Sequence, residues 1–243
     1  MPSRLETLAD RLRAARRITA MTGAGVSAAS GVPTFRGGDG LWKAFRAEDL
    51  ATPAAFARDP RLVWEWYDWR RTLISRCRPN PAHEVLARWS HERGLTLITQ
   101  NVDGLHELAG TRDVVRFHGS IWGLRCASSC GAEPWEDRSA PLAVLPPRCP
   151  RCGSLARPGV VWFGEPIDRN VLTRAEAALD CDVFLSIGTS SVVYPAAGLA
   201  QAARDRGAFA AEVNLEATDA AAVLDLAIAS PAEAALPAID ALL

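Results

Sequence analysis

The chain has 243 residues, about half of them hydrophobic and 23% charged, with 27 Lys+Arg against 28 Asp+Glu and a formal net charge of −1. This is the balance of an ordinary globular protein, long enough for one large domain carrying an insertion, and it excludes a field that would hold nucleic acid or an anionic membrane. No apolar run reaches bilayer length, and Met1 to Arg17 is charged throughout, unlike a secretion signal. A cytoplasmic location is therefore expected, with neither nucleic acid nor membrane as partner.

Arg4 to Ala15 reads as an amphipathic helix with Leu5, Leu8 and Leu12 on one face. Ile18 to Met21 is a short apolar run that stops at Gly23-Ala24-Gly25. From about Phe35 to Arg78 no strand-like run occurs, and the richness in Trp, Phe and Ala predicts a helical module. Asn80-Pro81 looks like an N-cap followed by Pro at the first helical position, opening a helix through Trp89. Leu95 to Ile98 is a second apolar run, ending at Thr99-Gln100-Asn101. From about Arg125 to Arg157 the chain is rich in Cys, Pro, Gly and Ser, a composition that buries no core of its own and needs a staple. Val183 to Ile187 stops at Gly188-Thr189-Ser190, and Phe209 to Val213 stops at Asn214. The Ala-rich C-terminal stretch is helix-prone.

Short continuous apolar strands separated by helix-length segments are the pattern of a parallel sheet covered on both faces. The predicted class is α/β: a Rossmann-like doubly wound parallel sheet with a helical module and a small four-cysteine zinc-binding domain. The boundaries expected are 1–35, 79–124 and 158–243 for the sheet domain, 36–78 for the helical module and 125–157 for the zinc module. Small and polar residues follow every strand, and open α/β sheets bind ligands at that end.

Cys126 and Cys130 are separated by three residues, Cys149 and Cys152 by two, and a glycine follows each pair. Two cysteine knuckles some twenty residues apart suit one tetrahedral zinc. Four thiolates leave no open position, so the ion is expected to be structural and to supply folding energy. Cys77 and Cys181 stand apart and read as small buried hydrophobes.

The first strand's glycine loop is suited to close approach of a pyrophosphate. Alone it is weak, since Ala28 departs from the dehydrogenase fingerprint and no acidic residue ends the second strand, so hydride transfer fits poorly. Together, Gly23-Ala-Gly-Val-Ser27, Pro33-Thr34-Phe35-Arg36, Thr99-Gln-Asn-Val-Asp-Gly-Leu-His106, Phe117-His118-Gly119, Val161-Trp-Phe-Gly-Glu165 and Gly188-Thr-Ser190 resemble the sirtuin family. The resemblance runs from about Arg17 to Pro237, with the cysteines in the expected gap. It implies an NAD-dependent protein-lysine deacylase acting on acyl-lysine peptides and proteins. It places Gly23, Ala24, Gly25 and Ser27 at the NAD pyrophosphate, and Thr34, Phe35 and Arg36, with Trp42, in a loop over the ribose and nicotinamide. Gln100, Asn101 and Asp103 line the nicotinamide pocket, with Asn101 also placed beside the chemistry. Gly188, Thr189 and Ser190 meet phosphates and adenosine, and Asn214, Leu215 and Glu216 hold the adenosine ribose. Ser230 stands where the family commonly has glycine, which weakens the transfer of an adenine contact to Ala232. The segment Val161, Trp162, Phe163, Gly164 and Glu165 matches the strand that pairs with a substrate backbone, as in β-strand addition.

The family chemistry needs a base that takes a proton from a ribose hydroxyl, and a histidine titrates near operating pH. His118 matches that base. His83 and His91, on a helix and its flank, are expected to be structural or exposed, and His106 a packing residue.

Tyr67 and Arg70 lie at i and i+3, so on one helix face. In a subset of sirtuins a Tyr-x-x-Arg at this place binds the carboxylate of succinyl-, malonyl- or glutaryl-lysine, a task suited to a bidentate guanidinium. Arg71 is an equal candidate from sequence, and small Ala51 and Ala54 would leave room for a longer acyl chain. The alternatives are a plain deacetylase, an ADP-ribosyltransferase using the same site, or a non-catalytic zinc-ribbon module that senses NAD.

Overall fold

The computed structural model of the chain describes residues 2–33, 47–216 and 218–243. Helix α1 (Arg4–Ala14) starts at a capping box, in which the Ser3 hydroxyl accepts from the Glu6 N–H and Glu6 returns a bond to the Ser3 N–H. Strand β1 (Ile18–Thr22) is buried at every position and leads into α2 (Ala24–Ala28). Helices α3 (Ala47–Leu50), α4 (Pro53–Arg58) and α5 (Pro60–Ile74) form the predicted helical stretch. Thr52 and Asp59 cap the last two, each ahead of a Pro at the helix start. Helix α6 (Pro81–Glu92) opens at Asn80 as expected.

Strand β2 (Leu95–Thr99) is followed by α7 (Leu105–Leu108), β3 (Val115–Arg116), β4 (Gly119–Cys126), β5 (Trp135–Glu136) and β6 (Ala156–Val160). Helix α8 (Arg169–Ala178), β7 (Val183–Ile187), α9 (Leu199–Asp205), β8 (Phe209–Asn214), β9 (Leu226–Ala229) and α10 (Ala232–Asp240) complete the order.

The main sheet has six parallel strands in the order β3-β2-β1-β7-β8-β9. The chain winds outward from β1 to β3, then returns to β7 on the other side of β1 and winds outward again. The reversal at β1 and β7 is the switch point at which such sheets open a crevice. Side chains alternate between two cores. Ile18, Ala20, Leu97 and Leu185 pack under α1, α6 and α10, whereas Met21, Ile98 and Phe184 pack under α8 and α9. Two of the six strands escape the periodicity reading. β3 is only two residues long, and β9 lies inside the Ala-rich stretch expected to be helix.

A second, antiparallel sheet has the order β5-β4-β6. The cysteine-rich segment buries no separate core, as its composition suggests. Leu142 and Ala156 from that segment, with Ile121, Trp122 and Leu124 of β4 and Val160 of β6, pack against Val63, Trp64 and Tyr67 of α5. The segment borrows its core from the helical module.

Candidate active site and zinc centre

The four knuckle sulfurs all lie within 4.8 Å of one another. Cys126 and Cys152 Sγ are 3.6 Å apart, and Cys130 and Cys149 Sγ 3.7 Å. A tetrahedron of thiolates about 2.3 Å from zinc has edges of about 3.8 Å, which these two pairs match, so the cluster suits one such ion. Gly131 and Gly153, at φ +76° and +72°, turn the backbone behind each knuckle. Cys77 and Cys181 are buried and stand outside the cluster.

At the switch point the loops after β1 and β7 touch. A Cβ on Gly23 would come within 2.7 Å of the Thr189 side chain, and one on Gly25 within 2.8 Å of Gly188. Gly188 has φ +59°, and a Cβ there would meet the Val26 nitrogen at 2.5 Å. The Gly25 N–H donates to the Gly188 carbonyl at 2.8 Å, and Asn214 Nδ2 donates to the Thr189 carbonyl at 3.0 Å. Bare backbone, hydroxyls and amides are thus gathered at three adjacent strand ends, a donor set that suits phosphates and an amide. Ser190 is half-buried, Leu215 and Glu216 are exposed just beyond β8, and Ala232 is buried at the start of α10. Thr34, Phe35, Arg36 and Trp42 lie outside the described residues.

Beneath this crevice runs a chain of polar contacts. The Ser27 hydroxyl donates to Asp103 Oδ2 at 2.8 Å and accepts from Asn101 Nδ2 at 3.2 Å. His83 Nε2 lies 3.3 Å from the same oxygen. His83 Nδ1 accepts from the Asn80 N–H, which leaves the proton on Nε2, so imidazole and amide both donate to a serine that donates to the carboxylate. Asn101 Nδ2 also donates to the Gly23 carbonyl at 3.0 Å, and Gln100 Nε2 to Thr189 Oγ1 at 2.9 Å. Trp122 Nε1 donates to the Asp103 carbonyl at 2.6 Å. Burial raises the Asp103 carboxyl above its ordinary value, opposed by the bonds from Leu105 N–H and Ser27. Burial likewise pushes His83 down to about 4, which keeps it neutral.

His83 and Trp122 are members of this site that the sequence reading missed. The visible signal for His83 was its place three residues after the cap Asn80, where a side chain can return to the cap N–H. His106 is fully buried, with Nε2 2.9 Å from Thr22 Oγ1. His91 is exposed on α6.

His118 follows Phe117, and its Nδ1 lies 3.2 Å from the Gln100 carbonyl. A carbonyl can only accept, so Nδ1 carries the proton and Nε2 keeps its lone pair. Burial lowers its pKa below the ordinary histidine value, partly offset by this hydrogen bond.

Tyr67 and Arg70 are both buried on α5. The Arg70 guanidinium lies 5.1 Å from the Trp66 ring, and burial lowers its pKa while Tyr67 and Asp103 raise it. Arg71, equal to Arg70 by sequence, is corrected to a packing residue. Its guanidinium donates to the carbonyls of Ile121, Asp137 and Ser139 and sits over Trp122. Of the two small residues upstream, Ala51 is buried and its carbonyl accepts from the Phe163 N–H, whereas Ala54 is exposed.

The predicted strand over Val161–Glu165 is also corrected. β6 ends at Val160, the Val161 N–H donates to the His118 carbonyl, and the chain then turns. Gly164 at φ +83° and the Glu165 carboxylate, accepting from the Trp162 N–H, close that turn.

The Sir2 family pattern matches residues 23–195. A relative named NAD-dependent protein deacylase, from Aquifex aeolicus, is 52% identical over 211 residues, covering 86% of this chain and 87% of its own. A crystal structure of a Sir2 homolog–NAD complex superposes with a TM-score of 0.92 at 44% identity, over 98% of this chain and 93% of that one. The structure of Sir2Af2 bound to a myristoylated histone peptide superposes with a TM-score of 0.79 at 32% identity, over 100% and 97% of the two chains. With the family pattern spanning residues 23–195 and relatives this similar over most of their length, the chain belongs to the Sir2 family.

Proposed function

We propose that this protein removes acyl groups from protein lysines at the expense of NAD, and that it favours succinyl- and malonyl-lysine over acetyl-lysine. The observation that carries the preference is Arg70. It is a buried guanidinium on a rigid helix, close enough to Asp103 of the crevice network for each to influence the other's charge. Arg70 shares one face of α5 with Tyr67, and a guanidinium suits bidentate, charge-assisted bonds to an acyl carboxylate.

When bound, NAD supplies an electrophilic ribose carbon and nicotinamide as leaving group. The backbone of Gly23 to Ser27 and of Gly188 to Ser190 holds the phosphates, with Asn214, Leu215, Glu216 and Ala232 at the adenosine end. Gln100, Asn101 and Asp103 receive the carboxamide, and the residues at 34–36 and 42 cover it. His118 Nε2 takes the ribose hydroxyl proton. The turn from Val161 to Glu165 receives the substrate backbone. With one water consumed to release the lysine, the products are nicotinamide, 2'-O-acyl-ADP-ribose and free lysine. The divisions at 36–78 and 125–157 serve as helical and zinc modules around the sheet domain. A cytoplasmic location is part of this reading, and cell fractionation checks it.

The test is a panel of acyl-lysine peptides with NAD, read by mass spectrometry. Nicotinamide release that depends on the acyl peptide, is fastest for succinyl or malonyl, and is lost in His118→Tyr is the expected result. Release without any acyl peptide, or none with every peptide, would contradict it.

A further inference from the structure

The turn that receives the peptide and the helix that carries Tyr67 and Arg70 are joined by one buried hydrogen bond. Trp162 Nε1 donates to the Tyr67 hydroxyl at 3.0 Å, with the two residues 2% and 3% exposed. An indole N–H can only donate, so this bond fills an acceptor position of the phenol. Conjugation keeps a phenol hydrogen near the ring plane, and Trp162 directs it away from itself. Tyr67 is left as a donor.

The indole is itself clamped. The Arg157 guanidinium carbon lies 3.4 Å from the Trp162 ring centroid, and Phe56 packs at 5.3 Å. Arg157 donates to both Glu165 oxygens, at 2.6 and 2.9 Å, and Glu165 closes the turn by accepting from the Trp162 N–H at 2.9 Å. Peptide-receiving turn, indole and phenol therefore form one mechanical unit.

We propose that Trp162 determines acyl specificity as a positioning residue: its Nε1–H fixes the Tyr67 hydroxyl as a donor, so that Tyr67 and Arg70 together present only donors to an acyl carboxylate. This rests on the acidic-acyl reading above. Without the indole N–H, the phenol is free to accept from a neighbouring cation and turn its hydrogen away.

The test compares kcat/KM for succinyl and acetyl forms of one peptide in wild type, Trp162→Phe, Tyr67→Phe and the double variant. Trp162→Phe should lower the succinyl-to-acetyl ratio about three- to tenfold, the range of one hydrogen bond, with the change in KM rather than kcat. The double variant should fall no further than Tyr67→Phe alone, since both remove the same donor. Replacing Trp162 by benzothienylalanine, which keeps the ring shape and exchanges N–H for sulfur, should reproduce the shift even if Trp162→Phe folds poorly. A ratio unchanged by both Trp162 replacements while Tyr67→Phe lowers it, or losses that multiply in the double variant, would overturn the role of Trp162 alone. A ratio unchanged in Tyr67→Phe would overturn the acidic-acyl reading and this proposal with it.

Discussion

His118 shows how a single hydrogen bond sets a pH dependence. Its Nδ1 proton is committed to the Gln100 carbonyl, and the remaining lone pair is the catalytic one. Burial lowers its pKa, so the working neutral form persists below the ordinary value of about 6.5. The base is lost only as pH falls through that lowered value. The acid limb of kcat/KM should therefore lie below about pH 6.5, and a limb above pH 7 would show that another group controls the rate. The residue scale also marks where sequence stops deciding. Arg70 and Arg71 are adjacent and identical in type, and only the structure separates them, by giving Arg71 three carbonyls and a tryptophan face. His83 carried a local signal beside its cap, but its 3.3 Å approach to Ser27 depends on tertiary packing that the sequence does not display.

At the scale of elements, the crevice exists because glycines let two loops touch. Gly188→Ala would place a Cβ 2.5 Å from the Val26 nitrogen at a positive φ, and strain of this kind costs about 1–3 kcal/mol. Denaturant unfolding should show that loss together with weaker NAD binding, whereas an unchanged midpoint would mean that the loops yield freely. The four strands visible in the sequence are those whose apolar runs stop at a polar or glycine loop, and all four lie where expected. β3 and β9 were not legible because pairing, not composition, makes them strands. β3 has two residues beside β2, and β9 pairs with β8 through Leu226–Ala229, a run too Ala-rich to announce itself. The Val161–Glu165 segment matches a family strand by its motif, while Gly164 and the Glu165 carboxylate bend it into a turn here.

Across the whole molecule, zinc, helix and pocket are one structure. Trp64 Nε1 donates to the Ala156 carbonyl at 2.8 Å, and Asp68 accepts from the Leu142 N–H at 2.7 Å, so α5 is pinned to the zinc-bearing segment. Cysteine spacing revealed the metal site, but not that this segment also pins α5, the helix that carries Tyr67 and Arg70. Removing zinc with a chelator should lower the melting temperature and abolish turnover of every acyl peptide, with recovery on re-addition of zinc. Full turnover by the chelated protein would contradict that coupling. The central claim is the choice of a negatively charged acyl group, and the most direct measurement is the succinyl-to-acetyl ratio of kcat/KM in wild type and in Arg70→Met. Truncating one member of a buried charge pair costs about 2–5 kcal/mol, well over tenfold in rate. The ratio is predicted to favour succinyl in wild type and to fall by more than tenfold in Arg70→Met. An equal loss on both substrates, or a wild type that prefers acetyl-lysine, would contradict it.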